Sequence, residues 1–210
     1  MTTIMLIRHG ETNWNVEEVF RGQIDIRLNE TGVRQAELLA KYLKDVPIIA
    51  IYSSPLMRAV KTAQIIASGH NTNIIIAPEL TDLDYGKWQG LSHEEVKEKY
   101  EKLYCKWLES PHLVRMPKGE GLDDVRRRAL SLVEQAILKH EGTVALVSHR
   151  VVHKVLICAL LGLEGSHFWN IKLDTCGITT FVYENDRFVL IGHNDTSFLK
   201  PVAECGSRDF

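Results

Sequence analysis

Short apolar runs at residues 4–7, 48–52, 73–77 and 143–147 alternate with stretches whose apolar residues recur at helical spacing. Asn29 reads as the N-cap of a helix carrying Val33, Ala36, Leu39, Ala40 and Leu43, ended by Pro47. Ser53-Ser54-Pro55 opens a second helix, with a capping serine and a proline in its first turn, running through Ala59, Ala63 and Ile66 to Gly69. Ser92 with Glu95 forms a capping box for a charged helix of about four turns. Val125, Ala129, Leu132, Val133 and Ala136 mark another helix leading to Gly142, and an apolar one follows residue 150 as far as Leu161-Gly162. Residues 177–183 and 188–191, separated by Asn185-Asp186, close the pattern as a β-hairpin. Strands alternating with helices demand a mostly parallel sheet covered on both faces, with the strand at 48–52 fully buried. The expected fold is an α/β, three-layer α/β/α sandwich with a C-terminal hairpin. It occupies residues 1–200 as one domain, with a loose tail at 201–210.

Composition narrows the function. A formal net charge of -2 argues against nucleic-acid binding, so any attraction for an anion must be local. The cysteines at 105, 158, 176 and 205 form no CxxC pair, which signals neither zinc nor a disulfide framework and fits a reducing cytoplasm. The chain enters its first strand without a signal-like leader. The longest apolar run, 155–163, is too short to span a bilayer. The expectation is a cytoplasmic protein without membrane or nucleic-acid partners.

In doubly covered parallel sheets, ligands bind beyond the carboxyl ends of the strands. Arg8 and His9 follow the first strand, Arg58 lies in the helix after the second, and His149 follows the fourth. Two arginines and two histidines converging beside a helix N-terminus suit a multiply charged anion, phosphate above all. Gly10 permits close backbone approach beside them.

Four blocks carry a resemblance to a known family. Leu6-Ile7-Arg8-His9-Gly10-Glu11-Thr12 with Trp14-Asn15 resembles the signature of the histidine phosphatase superfamily, the phosphoglycerate mutase-like enzymes. Tyr52-Ser53-Ser54-Pro55-Leu56 with Arg58-Ala59 and Thr62-Ala63 is similar to its second motif. The segment from Leu80 through Asp82, Asp84, Tyr85, Gly86 and Trp88 to Gly90 resembles its acid/base loop, and Val147-Ser148-His149 its last motif. The likeness runs from residue 4 to about residue 193 in family order.

The resemblance implies a phosphomonoester hydrolase that needs no metal or other cofactor. His9 attacks phosphorus as a neutral imidazole and becomes a phosphohistidine. Arg8, Arg58 and His149 bind the phosphoryl oxygens, and Asn15 donates a further hydrogen bond. Asp82 falls at the position of the acid that protonates the leaving alkoxide. The family most often has glutamate there, and Asp84 is the alternative. Arg21, Gly22 and Tyr85 are candidate substrate contacts at the pocket entrance. Glycines commonly follow the last histidine in the family, whereas this chain has Arg150 and Val151. Arg150 either adds a cation to the pocket or, the favoured reading, faces solvent.

The remaining motifs read as structural. Glu120 is a favourable charge near a helix start, Arg126-Arg127-Arg128 a wet helix face, and the His149/His153 spacing weak evidence for metal. Trp107 to His112 and His167-Phe168-Trp169, with the tail, resemble the metal-independent phosphoserine phosphatases of the superfamily. The substrate is thus a small phosphorylated metabolite, phosphoserine being the first candidate. A mutase, an α-ribazole or sugar phosphatase, and a non-catalytic phospho-ligand binder are the alternatives. Family members often pair, and the hairpin leaves an edge strand for a homodimer.

Overall fold

The computed structural model describes residues 1–199. The expected tail at 201–210 lies outside the described residues. In chain order the elements are β1 (Thr2–Arg8), α1 (Asn13–Val16), α2 (Glu30–Leu43), β2 (Ile48–Ser53), α3 (Met57–Ala67) and β3 (Ile74–Ile76). Then come α4 (His93–Lys99), α5 (Glu101–Glu109), α6 (Leu122–Lys139), β4 (Gly142–Ser148), α7 (Arg150–Leu160), β5 (Ile178–Glu184) and β6 (Arg187–Asp195). The six strands form one sheet in the order β3-β2-β4-β1-β5-β6. β1, β2, β3 and β4 pair in parallel, and β5 runs antiparallel between β1 and β6.

Alternation along β1 explains the three layers. Ile4 and Leu6 enter one core with Val144 and Leu146 of β4, Val125 and Leu132 of α6, and Val152 and Leu156 of α7. Met5 and Ile7 enter the other, with Ala145 and Val147 of β4, Leu39 of α2 and Ala63 of α3. Successive strand side chains point to opposite faces, so a central strand buried on both sides must be apolar throughout. Each fully buried Leu or Ile here contributes roughly 1.5–3 kcal/mol.

Local chemistry sets the element ends. Asn29 caps α2 by accepting from the Gly32 amide at 2.8 Å, and Ser92 with Glu95 forms the capping box of α4. Asn185 and Asp186 turn the hairpin with φ of 49° and 58°, the left-handed pair that a two-residue hairpin turn requires.

Several expectations need correction. Ile49 of β2 is exposed, so that strand is not fully buried. Leu56, not a serine, stands at the N-cap of α3, and Pro55 precedes the helix rather than lying in its first turn. The Ser54 hydroxyl accepts from the Leu56 amide at 3.3 Å and lies 2.8 Å from His149 Nε2. The charged helix breaks into α4 and α5 at Tyr100, whose φ of -136° and ψ of 36° leave the helical region. The sequence pattern carries no signal for the short α1. It is held by Asn15, whose Oδ1 accepts from the amide and hydroxyl of Thr12, both at 2.9 Å. Among the described residues, no helix is long and apolar enough to cross a membrane.

Candidate active site

The carboxyl ends of β1, β2 and β4 lie side by side, and the site is built on them. The His9 amide donates to the Ser148 carbonyl (3.0 Å), and the Ser54 amide to that of Val147 (3.0 Å). The chain leaving β1 packs against the start of α2 without a gap. A Cβ on Gly10 would collide with the Gly32 carbonyl, and one on Gly32 with the Glu11 backbone. The Gly10 amide also donates to Thr62 Oγ1 at 3.1 Å, tying His9 to α3.

His9 is buried, and its Nδ1 lies 2.7 Å from the Gly10 carbonyl. A carbonyl only accepts, so Nδ1 carries the proton and Nε2 keeps its lone pair. Burial, then the charges of Arg58, Arg8 and Arg21, hold its pKa well below 6.5, so the ring is neutral at neutral pH.

His149 caps α7 and is likewise buried, 5.1 Å from His9 between ring centroids. Its Nδ1 accepts from Arg58 Nε at 3.3 Å, which leaves the Nε2 proton to bond Ser54 Oγ at 2.8 Å. Burial and the Arg58 charge push its pKa well below 6.5 as well. α7 begins immediately after it, and the positive end of that helix faces the site.

Arg58 is fully buried and spends its donors four ways. Beyond His149 it reaches the Ile24 carbonyl (3.0 Å), the Gly22 carbonyl (2.7 Å) and Asp82 Oδ2 (3.3 Å). Arg8 is also buried and donates to the Leu173 carbonyl at 2.7 Å.

Asp82 points inward, with Oδ2 3.7 Å from His149 Nδ1 and Oδ1 accepting from the Leu83 amide at 2.9 Å. Asp84 is committed elsewhere: its Oδ1 accepts from the Gly86 amide at 2.8 Å, closing the turn of the loop. The support of this loop departs from the sequence reading. Arg128 does not lie on a wet face but donates to Glu120 Oε1 (3.0 Å) and to the carbonyls of Glu79 (2.6 Å) and Asp82 (3.1 Å). Glu120 in turn accepts from the Asp84 amide at 3.0 Å. The pair clamps the strand of loop that carries Asp82.

Asp82, Arg21, Gly22, Tyr85, Arg150 and His9 line a small chamber of about 20 Å³. Arg21 and Arg150 also line a wider vestibule of about 360 Å³, with Asn15, Glu18, His93 and Tyr104. Arg150 therefore faces the pocket rather than solvent alone. Burial, then Arg8 and Arg150, bring the Arg21 pKa down to about 9, so it remains charged at neutral pH. Burial and the nearby Asp82 charge push the Tyr85 phenol well above 10, keeping its hydroxyl protonated. Asn15 Nδ2 is sealed from solvent without a hydrogen-bond partner, a donor still to be used. Among the described residues no group of three or more His, Cys, Asp or Glu could hold a metal ion.

The histidine phosphatase superfamily (branch 1) matches residues 4–196. The chain belongs to that superfamily. Its phosphoglycerate mutase-like signature thus reflects common descent, and the enzyme class expected from the residues, phosphomonoester hydrolysis, is the one that applies. Phosphoserine phosphatase 1 of Hydrogenobacter thermophilus is 37% identical over 200 residues, 95% of each chain. The solved structure of Bacillus stearothermophilus YhfR superposes with a TM-score of 0.91 at 34% identity, over 95% of this chain and 100% of the other. A phosphoserine phosphatase from Entamoeba histolytica, solved as an H9A mutant with phosphoserine, gives a TM-score of 0.85 at 31% identity over the same shares. This histidine phosphatase therefore shares its fold over nearly its whole length with enzymes of the phosphatase branch.

Proposed function

We propose that the protein is a phosphoserine-type phosphatase working through a phosphohistidine on His9. The observation carrying this reading is the tautomer of His9, a buried neutral ring whose bare Nε2 is left for attack. Nε2 forms a bond to phosphorus while the ester P–O bond breaks. Arg8, Arg58, His149 and the start of α7 take up the charge of the transferring group. A proton from the Asp82 carboxyl goes to the departing alkoxide. Water then attacks the phosphohistidine, gives its proton to the Asp82 carboxylate and releases inorganic phosphate, restoring His9. The bound dianion also favours a protonated His149, turning its Nδ1 from acceptor to donor.

Similarity to two phosphoserine phosphatases supports phosphoserine as substrate. We further infer a cytoplasmic enzyme and a homodimer paired along the edge strand β6; light scattering in solution tests the dimer.

The test of the chemistry is rapid quenching of the enzyme with ³²P-labelled phosphoserine. An acid-labile, alkali-stable label on the wild type is expected. His9→Ala should abolish it and lower turnover by more than about 10⁴-fold, with an unchanged circular dichroism spectrum. A variant that still turned over appreciably, or a wild type that never carried label, overturns the assignment.

A further inference from the structure

The phosphoryl group is provided for by Arg8, Arg58, His149 and the start of α7, yet two more guanidinium groups stand at the mouth of its chamber. Arg21 and Arg150 line both the chamber beside His9 and the vestibule outside it. Both side chains are thus shared by the chamber and the vestibule. The Nε of Arg21 is sealed from solvent and has no hydrogen-bond partner. A buried N–H without a partner is costly, and a ligand atom that accepts from it recovers that cost. Arg150 sits in the first turn of α7, directly after His149, so its position relative to the phosphoryl site is set by the helix. The two charges act on one another strongly enough to contribute to the lowered pKa of Arg21.

We propose that Arg21 and Arg150 form a carboxylate subsite, and that the substrate is a phosphorylated hydroxy or amino acid whose carboxylate docks there. This rests on the phosphatase reading above and adds how the substrate is selected. A planar carboxylate matches the guanidinium fork, and a three-carbon acid fits between the chamber and a vestibule of about 360 Å³. Glu18 faces the same vestibule from its exposed rim. It opposes a second full phosphate there and leaves room for a substrate ammonium.

The experiment compares kcat/KM for matched pairs that differ at the carboxylate: phosphoserine against phosphoethanolamine, and 3-phosphoglycerate against glycerol 3-phosphate. The wild type is expected to prefer the acid of each pair. Arg150→Met and, as a second variant, Arg21→Gln should each shrink that preference about 10- to 100-fold, chiefly through KM, the scale of a lost hydrogen bond to a charged group. Arg150→Lys should restore part of it. A wild type indifferent to the carboxylate, a variant that lowers both members of a pair equally, or a preference for fructose 1,6-bisphosphate over phosphoserine overturns the subsite. Failure to release phosphate from any compound, p-nitrophenyl phosphate included, overturns instead the phosphatase reading on which it rests.

Discussion

Arg58 Nη2 lies 3.3 Å from Asp82 Oδ2, and both side chains are almost closed to water. For a buried guanidinium–carboxylate pair this is a long, single contact, since good ones close to about 2.7–2.9 Å. The same Nη2 makes a shorter bond, 2.7 Å, to the Gly22 carbonyl. Arg58 is thus anchored by backbone and only loosely engaged with the acid. In the proposed mechanism, the arginine turns donors to the incoming phosphoryl oxygens without leaving its place, and the carboxyl is released for proton transfer.

That arrangement predicts how the acid fails. Asp82→Asn should slow release of an alkyl alcohol from phosphoserine by about 10²- to 10⁴-fold, the usual worth of a general acid. Release of p-nitrophenolate, which scarcely needs a proton, should suffer far less. Asp84→Asn should leave the ratio of the two substrates unchanged, because its carboxylate serves the turn at Gly86. Steady-state rates on the two compounds decide it, and equal slowing by Asp82→Asn would reassign the acid.

The contact between the loop after β1 and the start of α2 predicts a second result. Gly32→Ala places a methyl against the Glu11 backbone, which is tied by the Glu11 amide to Gln35 Oε1 at 3.0 Å. Neither side can yield cheaply, so a loss of about 1–3 kcal/mol is expected in urea unfolding. Turnover should fall with it as His9 is displaced. An unchanged midpoint would show that the loop gives way freely.

Acid should weaken the fold through its buried histidines. His9, His149 and His153 have folded pKa values below 6.5, that of His153 brought down to about 3 by burial and by Arg8. Below pH 6.5 the unfolded chain takes up protons that the native state refuses, so stability falls as pH falls and is fully present above 6.5. Each such group costs about 1.4 kcal/mol per pH unit, for His153 down to about pH 3. Neither ring nitrogen of His153 makes a well-formed hydrogen bond, which makes it the cleanest to replace. His153→Leu should reduce the slope of unfolding free energy between pH 6.5 and 5 by about that amount. The same slope in the variant would remove His153 from the account.

The layers and the strand ends were legible because they depend on local periodicity. An apolar run flanked by helices reads as a strand, but does not say whether both its faces are covered, as Ile49 of β2 and Ile75 and Ile76 of the edge strand β3 show. Asn29 or Ser92 with Glu95 acts through bonds to its own neighbours. His9, Arg58 and His149 could be grouped because strand ends share an edge. What escaped were contacts made at a distance. The serines before Pro55 read as a helix cap, whereas the Ser54 hydroxyl also bonds His149 far along the chain. Arg128 reads as part of a wet face, whereas Glu120 and the carbonyls of the acid loop engage it. Arg150 reads as a solvent-facing residue for the same reason, yet lines the pocket. A helix period says which residues share a side, but not that the loop around Arg21 folds over that side.

The strand order has a consequence for how the protein comes into being. β4 is inserted between β2 and β1, though it is made after both. A nascent polypeptide that has emerged only as far as residue 140 holds His9, Arg8, Arg21, Arg58 and Asp82, but lacks the strand that joins β1 to β2. The site is therefore complete only once β4 joins β1 to β2 and brings His149 with it. Two separately expressed fragments divided before that strand should each be inert and regain turnover only when mixed.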